Sequence, residues 1–176
     1  MKKGQSGFTI VELLVTVAIT AVVGTAATIA TNQVCRSTGH SNNRITVVRQ
    51  VQNAGYWINR DAQMAHNVVA DGLTPPDFLV LTWTEWDDNN DPIYHSVTYY
   101  FEDLTNGIGK LKRSHWSSAG VNEETLIAEY IYYNPNDPLE TSKTGYVSPE
   151  ITIELTSVSD DARETREYKI SRRPSL

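Results

Sequence analysis

The stretch FTIVELLVTVAITAVVGTAATIAT, residues 8–31, decides how the N-terminal part of this 176-residue chain folds. Glu12 is its only charged residue. As a helix the stretch would reach roughly 36 Å, at a rise of ~1.5 Å per residue, and a bilayer's hydrocarbon core is about 30 Å thick. It is longer than the apolar core of an ordinary secretory signal and contains no A-x-A cleavage site. The stretch therefore predicts a retained helix that spans a membrane.

Glu12 is the unusual residue of this helix. A carboxylate inside a spanning helix costs about 2–3 kcal/mol, so it is kept mainly where a partner or a polar path stabilises it. One interpretation places Glu12 at the membrane interface, with its carboxylate reaching water; the other gives it a partner. Gly24 and the nearby alanines permit close approach of a second helix. Five threonines can bond to their own helix or to a neighbour: Thr9, Thr16, Thr20, Thr25 and Thr28. These features favour packing of helix against helix.

Residues 2–23, KKGQSGFTIVELLVTVAITAVV, resemble the N-terminal signature of type IV prepilins and type II secretion pseudopilins. That signature has a short basic leader, a glycine, and then Phe-Thr-Leu-Ile-Glu. Ile10 and Val11 are mild departures, and Ile29 stands where many major pilins carry a proline. The resemblance implies that a prepilin peptidase cuts after Gly7, that residues 1–7 are a leader, and that the new N-terminal amine of Phe8 is methylated.

The resemblance also gives Glu12 a role in assembly. The amine created at Phe8 is a cation, since an α-amino group has a pKa near ~8, and Glu12 of a neighbouring subunit can pair with it. The chain would then be a structural subunit of a type IV pilus or type II secretion pseudopilus. Its partners would be other pilin subunits, the peptidase and the inner-membrane assembly platform. It would cross the inner membrane once, with its N-terminus in the cytoplasm and its C-terminal part outside.

Residues 32–72 predict an amphipathic continuation of the helix. Polar residues 36–43 predict a local loosening, and Cys35 before them suits a small buried or interfacial position. Asp71-Gly72 followed by Pro75-Pro76 predicts a helix end near residue 70. Steps of three and four place one apolar stripe on a helix face, formed by Val48, Val51, Gly55, Ile58, Ala62, Ala65 and Val69.

Residues 73–176 predict an antiparallel sheet, so the fold class is α+β, with a long N-terminal helix packed on the sheet in a pilin-like arrangement. The predicted strands are Phe78–Trp86, Ile93–Glu102, Leu111–Trp116, Leu126–Tyr133, Tyr146–Thr156 and Glu164–Arg172. Pro149 predicts an edge or a bulge at the start of the fifth strand. Segments such as YYFEDLTNGIGKLKRSH and LIAEYIYY resemble J-type minor pseudopilins and W-type minor pilins, which implies a minor subunit.

No catalytic constellation is visible in the sequence, so we expect no enzyme and no cofactor. The four histidines, His40, His66, His95 and His115, are isolated in the sequence. The acidic turn offers weak calcium candidates in Asp87, Asp88, Asn90 and Asp91, against the simpler interpretation of a solvated hairpin turn. A net charge of −6 makes nucleic-acid binding unlikely and disfavours a DNA-uptake pilin. The aromatic residues beyond residue 80 exceed what one sheet face needs, so some could mark a protein-binding surface, as in a membrane-anchored binding domain.

Overall fold

A computed structural model describes residues 9–70, 72–73 and 75–172. One helix, α1, spans Ile10–Met64 and precedes all the strands. The strands are β1 Asn67–Val69, β2 Asp77–Trp86, β3 Pro92–Thr105, β4 Ile108–Ser117, β5 Asn122–Tyr132, β6 Lys143–Val147, β7 Glu150–Ser159 and β8 Ala162–Ser171. The chain divides between Ser41 and Asn42 into two compact units. The predicted α+β class, with a long N-terminal helix on an antiparallel sheet, is confirmed.

The N-terminal unit is helical from Ile10 onward, and its side chains are exposed. The helix continues through residues 36–43, so the predicted loosening is wrong: Thr38 Oγ1 donates to the carbonyl of Val34, at 2.9 Å, within a regular helix. Cys35 is an exposed free thiol, not a buried one, within this chain.

The sheet of the second unit is antiparallel, in the order β1-β2-β3-β4-β5-β7-β6, with β8 paired to β7. β8 pairs along β7 from Glu150 to Ser159, so β5 and β6 share the other edge of β7. On that edge β6 pairs with residues 150–154 of β7, and β5 pairs with β7 where Ile131 is opposite Ser157. The sheet thereby curls from β1 to the C-terminal strands β7 and β8, and all its strand pairs are antiparallel.

The second half of α1 supplies the helical side of the core. Five residues of the predicted stripe are buried, namely Val51, Gly55, Ile58, Ala62 and Ala65. The prediction is wrong at both ends of the stripe: Val47 is buried in place of Val48, and Val69 is exposed. Fully burying a Val or Ile side chain contributes about 1.5–3 kcal/mol, so this stripe fixes the face of α1 that meets the sheet.

The helix ends at Met64, about six residues before the predicted end. The backbone N–H of His66 donates to the carbonyl of Thr82 at 2.8 Å, and Asn67–Val69 then pair with β2. Only Val68 of this strand is buried, which is the alternation of a strand and not the period of a helix. Two adjacent valines suit an extended backbone, so pairing with β2 outcompetes further helix.

The predicted strand Tyr146–Thr156 is two strands, β6 and β7, which pair with each other around Ser148 and Pro149. Pro149 therefore sits in a hairpin turn and not at the start of a continuous strand. Because proline has no backbone N–H, it cannot donate within a ladder, and a turn tolerates this.

A buried ionic network joins α1 to the sheet. Asp61 is fully buried, and its carboxylate accepts hydrogen bonds from Arg113 Nε at 2.6 Å and from a terminal Arg113 nitrogen at 3.2 Å. Tyr99 Oη donates to the same carboxylate at 2.6 Å. Burial alone lowers the pKa of Arg113, but the hydrogen bond and charge of Asp61 outweigh it and raise that pKa. The guanidinium therefore stays charged, and the network fixes the register of helix against sheet.

Candidate functional site

The predicted assembly residue lies in the first turn of α1, and the predicted processing residues precede α1 in the sequence. Gly7 and Phe8, predicted for cleavage and methylation, lie outside the described residues. Glu12, predicted for assembly, lies in the first turn of α1.

Thr9 and Glu12 form a reciprocal cap at the start of α1. The backbone N–H of Glu12 donates to Thr9 Oγ1 at 3.3 Å, and the backbone N–H of Thr9 donates to Glu12 Oε2 at 3.1 Å. Thr9 Oγ1 also lies 3.2 Å from Glu12 Oε2. This is the capping box, in which a threonine and a glutamate three residues later satisfy each other's backbone N–H. Sequence reasoning missed it, although the Thr-x-x-Glu spacing is its signal.

The cap uses one oxygen of the carboxylate. Both Thr9 donors approach Oε2, and no donor from residues 9–70, 72–73 or 75–172 reaches Oε1. A carboxylate can accept several hydrogen bonds, so capping leaves Glu12 able to take a further cationic donor. The negative charge also lies at the N-terminal end of the helix, where the macrodipole favours it.

The rest of the apolar segment offers lipid a surface without free hydroxyl groups. Four of the five threonines predicted to bond either inward or outward, namely Thr16, Thr20, Thr25 and Thr28, donate to the carbonyl four residues earlier at 2.7–2.9 Å. Thr9 takes part in the cap instead, and Thr31, which was not among the five, bonds inward in the same way at 2.9 Å. The large apolar side chains are exposed, for example Ile10, Val11 and Leu14. By length and composition, α1 is able to cross a membrane.

The acidic turn that holds the weak calcium candidates is closed by hydrogen bonds to its own backbone. Asp87 Oδ1 accepts the backbone N–H of Asn89 at 2.9 Å and that of Asp91 at 2.8 Å. These bonds, led by the one from Asp91, lower the pKa of Asp87. No three His, Cys, Asp or Glu side chains among the described residues are placed to hold one metal ion. Calcium binding by Asp87, Asp88, Asn90 and Asp91 therefore stays a weak prediction.

Two of the histidines that are isolated in the sequence are neighbours in the fold. His95 Nδ1 lies 3.2 Å from His115 Nε2, and the ring of Trp83 stacks on His95 at a centroid distance of 5.0 Å. Burial, followed by the charges of Arg113 and His95, lowers the pKa of His115. The pair therefore acts as packing at one end of the sheet. His66 caps the adjoining edge, where its Nδ1 accepts the backbone N–H of Thr84 at 3.2 Å.

Comparison with protein families gives a match at the N-terminal end of the chain. Residues 2–28 match the family model described as the prokaryotic N-terminal methylation motif. No curated protein and no solved structure matched the chain. The matched segment contains Gly7, Phe8 and Glu12, and it precedes the sheet. The match indicates a prepilin-type processing substrate and supports a type IV pilin-like N-terminus.

Proposed function

We propose that this chain is a structural subunit, and a minor one, of a type IV pilus or type II secretion pseudopilus. It is cleaved after Gly7, methylated at Phe8 and drawn into a filament by its N-terminal helix. The observation that carries the proposal is a single carboxylate, Glu12, in an exposed apolar helix within the matched methylation motif. Chains with this motif are structural subunits and not enzymes. The J- or W-type resemblance of the sheet segments supports the minor role.

The proposed assembly step pairs two charges that are each costly in lipid. Cleavage exposes an ammonium group at Phe8, and Glu12 of the adjacent subunit supplies the opposite charge. Water screens little inside the bilayer, so two unit charges attract each other much more strongly there than in water. Breaking a buried pair leaves an uncompensated charge and costs about 3–5 kcal/mol. A subunit that docks in register is therefore favoured over one that remains alone in the membrane.

The side chains of α1 support close packing of these helices. Ala21, Thr25 and Ala26 line a shallow groove with Val22 and Ile29. Small residues let helix backbones approach closely, and the inward-bonded threonines add no desolvation cost. The proposed topology has a cytoplasmic N-terminus, the inner membrane around the apolar segment, and the sheet outside. The peptidase and the inner-membrane assembly platform are the proposed partners on the membrane side.

The capping box provides matched variants that separate helix capping from charge pairing. Glu12→Gln keeps the cap, because glutamine also serves at this position of a capping box, but removes the charge. Thr9→Val removes the capping hydroxyl, at a cost of about 1 kcal/mol, but keeps the charge. We expect Glu12→Gln to insert into membranes at the wild-type level while its incorporation into filaments falls at least about tenfold. We expect Thr9→Val to assemble almost normally.

Filament incorporation is measured by immunoblotting of sheared surface fractions against membrane fractions from the native host. Normal incorporation of Glu12→Gln would contradict charge pairing. Failure of Thr9→Val together with normal incorporation of Glu12→Gln would instead assign the role of Glu12 to the cap. The rival function, a binding domain that remains anchored in the bilayer, requires the wild-type chain to be absent from sheared fractions.

A further inference from the structure

A row of neutral side chains crosses five strands on the outer face of the sheet, the face opposite the buried core. The register places Asn67 opposite Thr82, and Thr82 opposite Ser96. The row continues with Ser96 opposite Trp116 and Trp116 opposite Asn122. We call these five residues the neutral row. Its hydroxyl and amide groups can both donate and accept hydrogen bonds, and one large ring lies among them.

Three exposed aromatic side chains share this face. Trp86, Tyr94 and Trp116 are 63%, 54% and 50% exposed. In the pairing of β2 with β3, Tyr94 is opposite Thr84, and Trp86 lies two residues after Thr84. In the pairing of β3 with β4, Trp116 is opposite Ser96, which lies two residues after Tyr94. Diagonal neighbours in a sheet are about 7–8 Å apart, so the three rings follow a diagonal of roughly 15 Å. We call them the aromatic platform.

A groove of about 420 Å³ lies where the platform meets the neutral row. Its lining includes Asn67, Thr82, Ser96 and Trp116 of the neutral row, Tyr94 of the aromatic platform, and the two histidines His66 and His95. Ligand sites in proteins typically combine ring surface with a few hydrogen-bonding groups that fix orientation. The groove has that composition, and its lining contains no Lys, Arg, Asp or Glu.

The backbone that carries the middle ring of the platform is hydrogen-bonded on both sides of Tyr94 to Ser118. The backbone N–H of Tyr94 donates to Ser118 Oγ at 3.0 Å, and the N–H of Ser118 donates to the carbonyl of Tyr94 at 2.9 Å. On the opposite face, Trp83 is buried and stacks on His95 with an interplanar angle of 6°. A backbone fixed in this way needs little reordering when a ligand binds, so the position of the Tyr94 ring is suited to binding.

The charge pattern selects the class of ligand. The platform and the neutral row contain no formally charged residue, and the acidic turn Asp87–Asp91 borders the Trp86 end. Anionic chains are repelled there, and no Lys or Arg in the row offers a phosphate contact. A purely apolar partner would bury the hydroxyl and amide groups of the neutral row without hydrogen bonds. Each group left unsatisfied in this way would cost about 1–3 kcal/mol of binding free energy.

A neutral sugar chain satisfies both surfaces. Its C–H faces carry partial positive charge and pack on the negative faces of aromatic rings, while its hydroxyl groups bond to serine, threonine and asparagine side chains. We propose that the aromatic platform and the neutral row bind a neutral polysaccharide. The site belongs to the sheet alone, so the proposal does not depend on filament assembly.

The test uses the full-length chain in a polyoxyethylene detergent, because detergents with sugar head groups would compete for the site. Binding is measured by depletion onto insoluble chitin and cellulose, and on an array of soluble neutral glycans. We expect binding to at least one of these probes that persists at high salt, since no charge pair is involved. Trp116→Ala and Tyr94→Ala should each weaken it about tenfold or more, as expected for an aromatic anchor.

Tyr56→Ala is the matched control, because Tyr56 is 64% exposed but lies on α1. It should bind like the wild type, and the urea midpoints of all three variants should match, which shows that each is folded. Absence of binding to every neutral probe would overturn the proposal, as would wild-type binding by Trp116→Ala. Loss of filament incorporation in the Trp116→Ala variant, without glycan binding by the wild type, would assign the face to a protein partner instead.

Discussion

Replacing Asp61 by asparagine tests whether the buried ionic network holds α1 on the sheet. The substitution keeps the size of the side chain but removes the charge that faces Arg113. Arg113 is 4% exposed, so water cannot replace the lost partner. Asparagine also presents an N–H₂ group where the carboxylate accepted hydrogen bonds from Arg113 and Tyr99. The guanidinium is then left buried beside a donor.

The expected cost follows from this geometry. Removing one partner of a buried ion pair typically costs about 3–5 kcal/mol, which is a large part of a domain's stability of roughly 5–15 kcal/mol. Arg60 approaches the same carboxylate at 3.3 Å, but its side chain is 44% exposed. Arg60→Met should therefore cost no more than about 1 kcal/mol. The contrast between the two changes isolates the effect of burial.

The assay is urea unfolding of the full-length chain in a non-ionic detergent, followed by tryptophan fluorescence. All four tryptophans lie between residues 57 and 116, so the signal reports on the sheet unit and the helix packed on it. Asp61→Asn combined with Arg113→Met should cost less than the sum of the two single changes by at least about 1 kcal/mol. The inferred network would be refuted if Asp61→Asn lowered the free energy of unfolding by less than about 1 kcal/mol. It would also be refuted if the costs of the two single changes simply added in the double variant.

Three further perturbations can be followed by the same unfolding assay. A Cβ at Gly55 would overlap the ring of Tyr168 and lie 2.6 Å from its hydroxyl oxygen, so Gly55→Ala should destabilise the chain by about 1–3 kcal/mol. Gly39→Ala is the control, because a Cβ at Gly39 meets open space and should not destabilise the chain. Burial, and next the charge of Asp61, raise the pKa of Tyr99, so above about pH 10 only the unfolded chain loses this proton. This group alone should lower stability there by up to about 1.4 kcal/mol per pH unit, and Tyr99→Phe should reduce the slope by that share, because Tyr100 and Tyr168 also have raised pKa values. Because the pKa of His115 is lowered in the folded chain, the unfolded chain binds this proton first as the pH falls below 6.5, and stability should decrease there. The same decrease of stability with falling pH in His115→Gln would contradict this.

The helix and its core face were predictable because both are local patterns. Steps of three and four residues identify Val51, Ile58 and Ala62 as core positions. The same rule fails at Val69, because Asn67–Val69 pair with β2 and follow the strand period. The partner that decides the outcome, Thr82, is distant in the sequence, and no local rule includes it.

The buried network and the paired histidines could not be predicted for the same reason. Asp61 is 38 residues from Tyr99 and 52 from Arg113, and these groups meet only once the register of β3 and β4 is known. His95 and His115 likewise become neighbours through that register. The capping box differs, because Thr9 and Glu12 are three residues apart and the spacing alone predicts it.

The mass of the mature N-terminus in the native host tests the central claim most directly. The filament fraction is isolated, digested and examined for its N-terminal peptide. We predict a peptide that begins at Phe8 and carries one methyl group on its amine, with residues 1–7 absent. A chain that still begins at Met1, in a fraction that contains other assembled subunits, would contradict the proposed pairing of the Phe8 amine with Glu12.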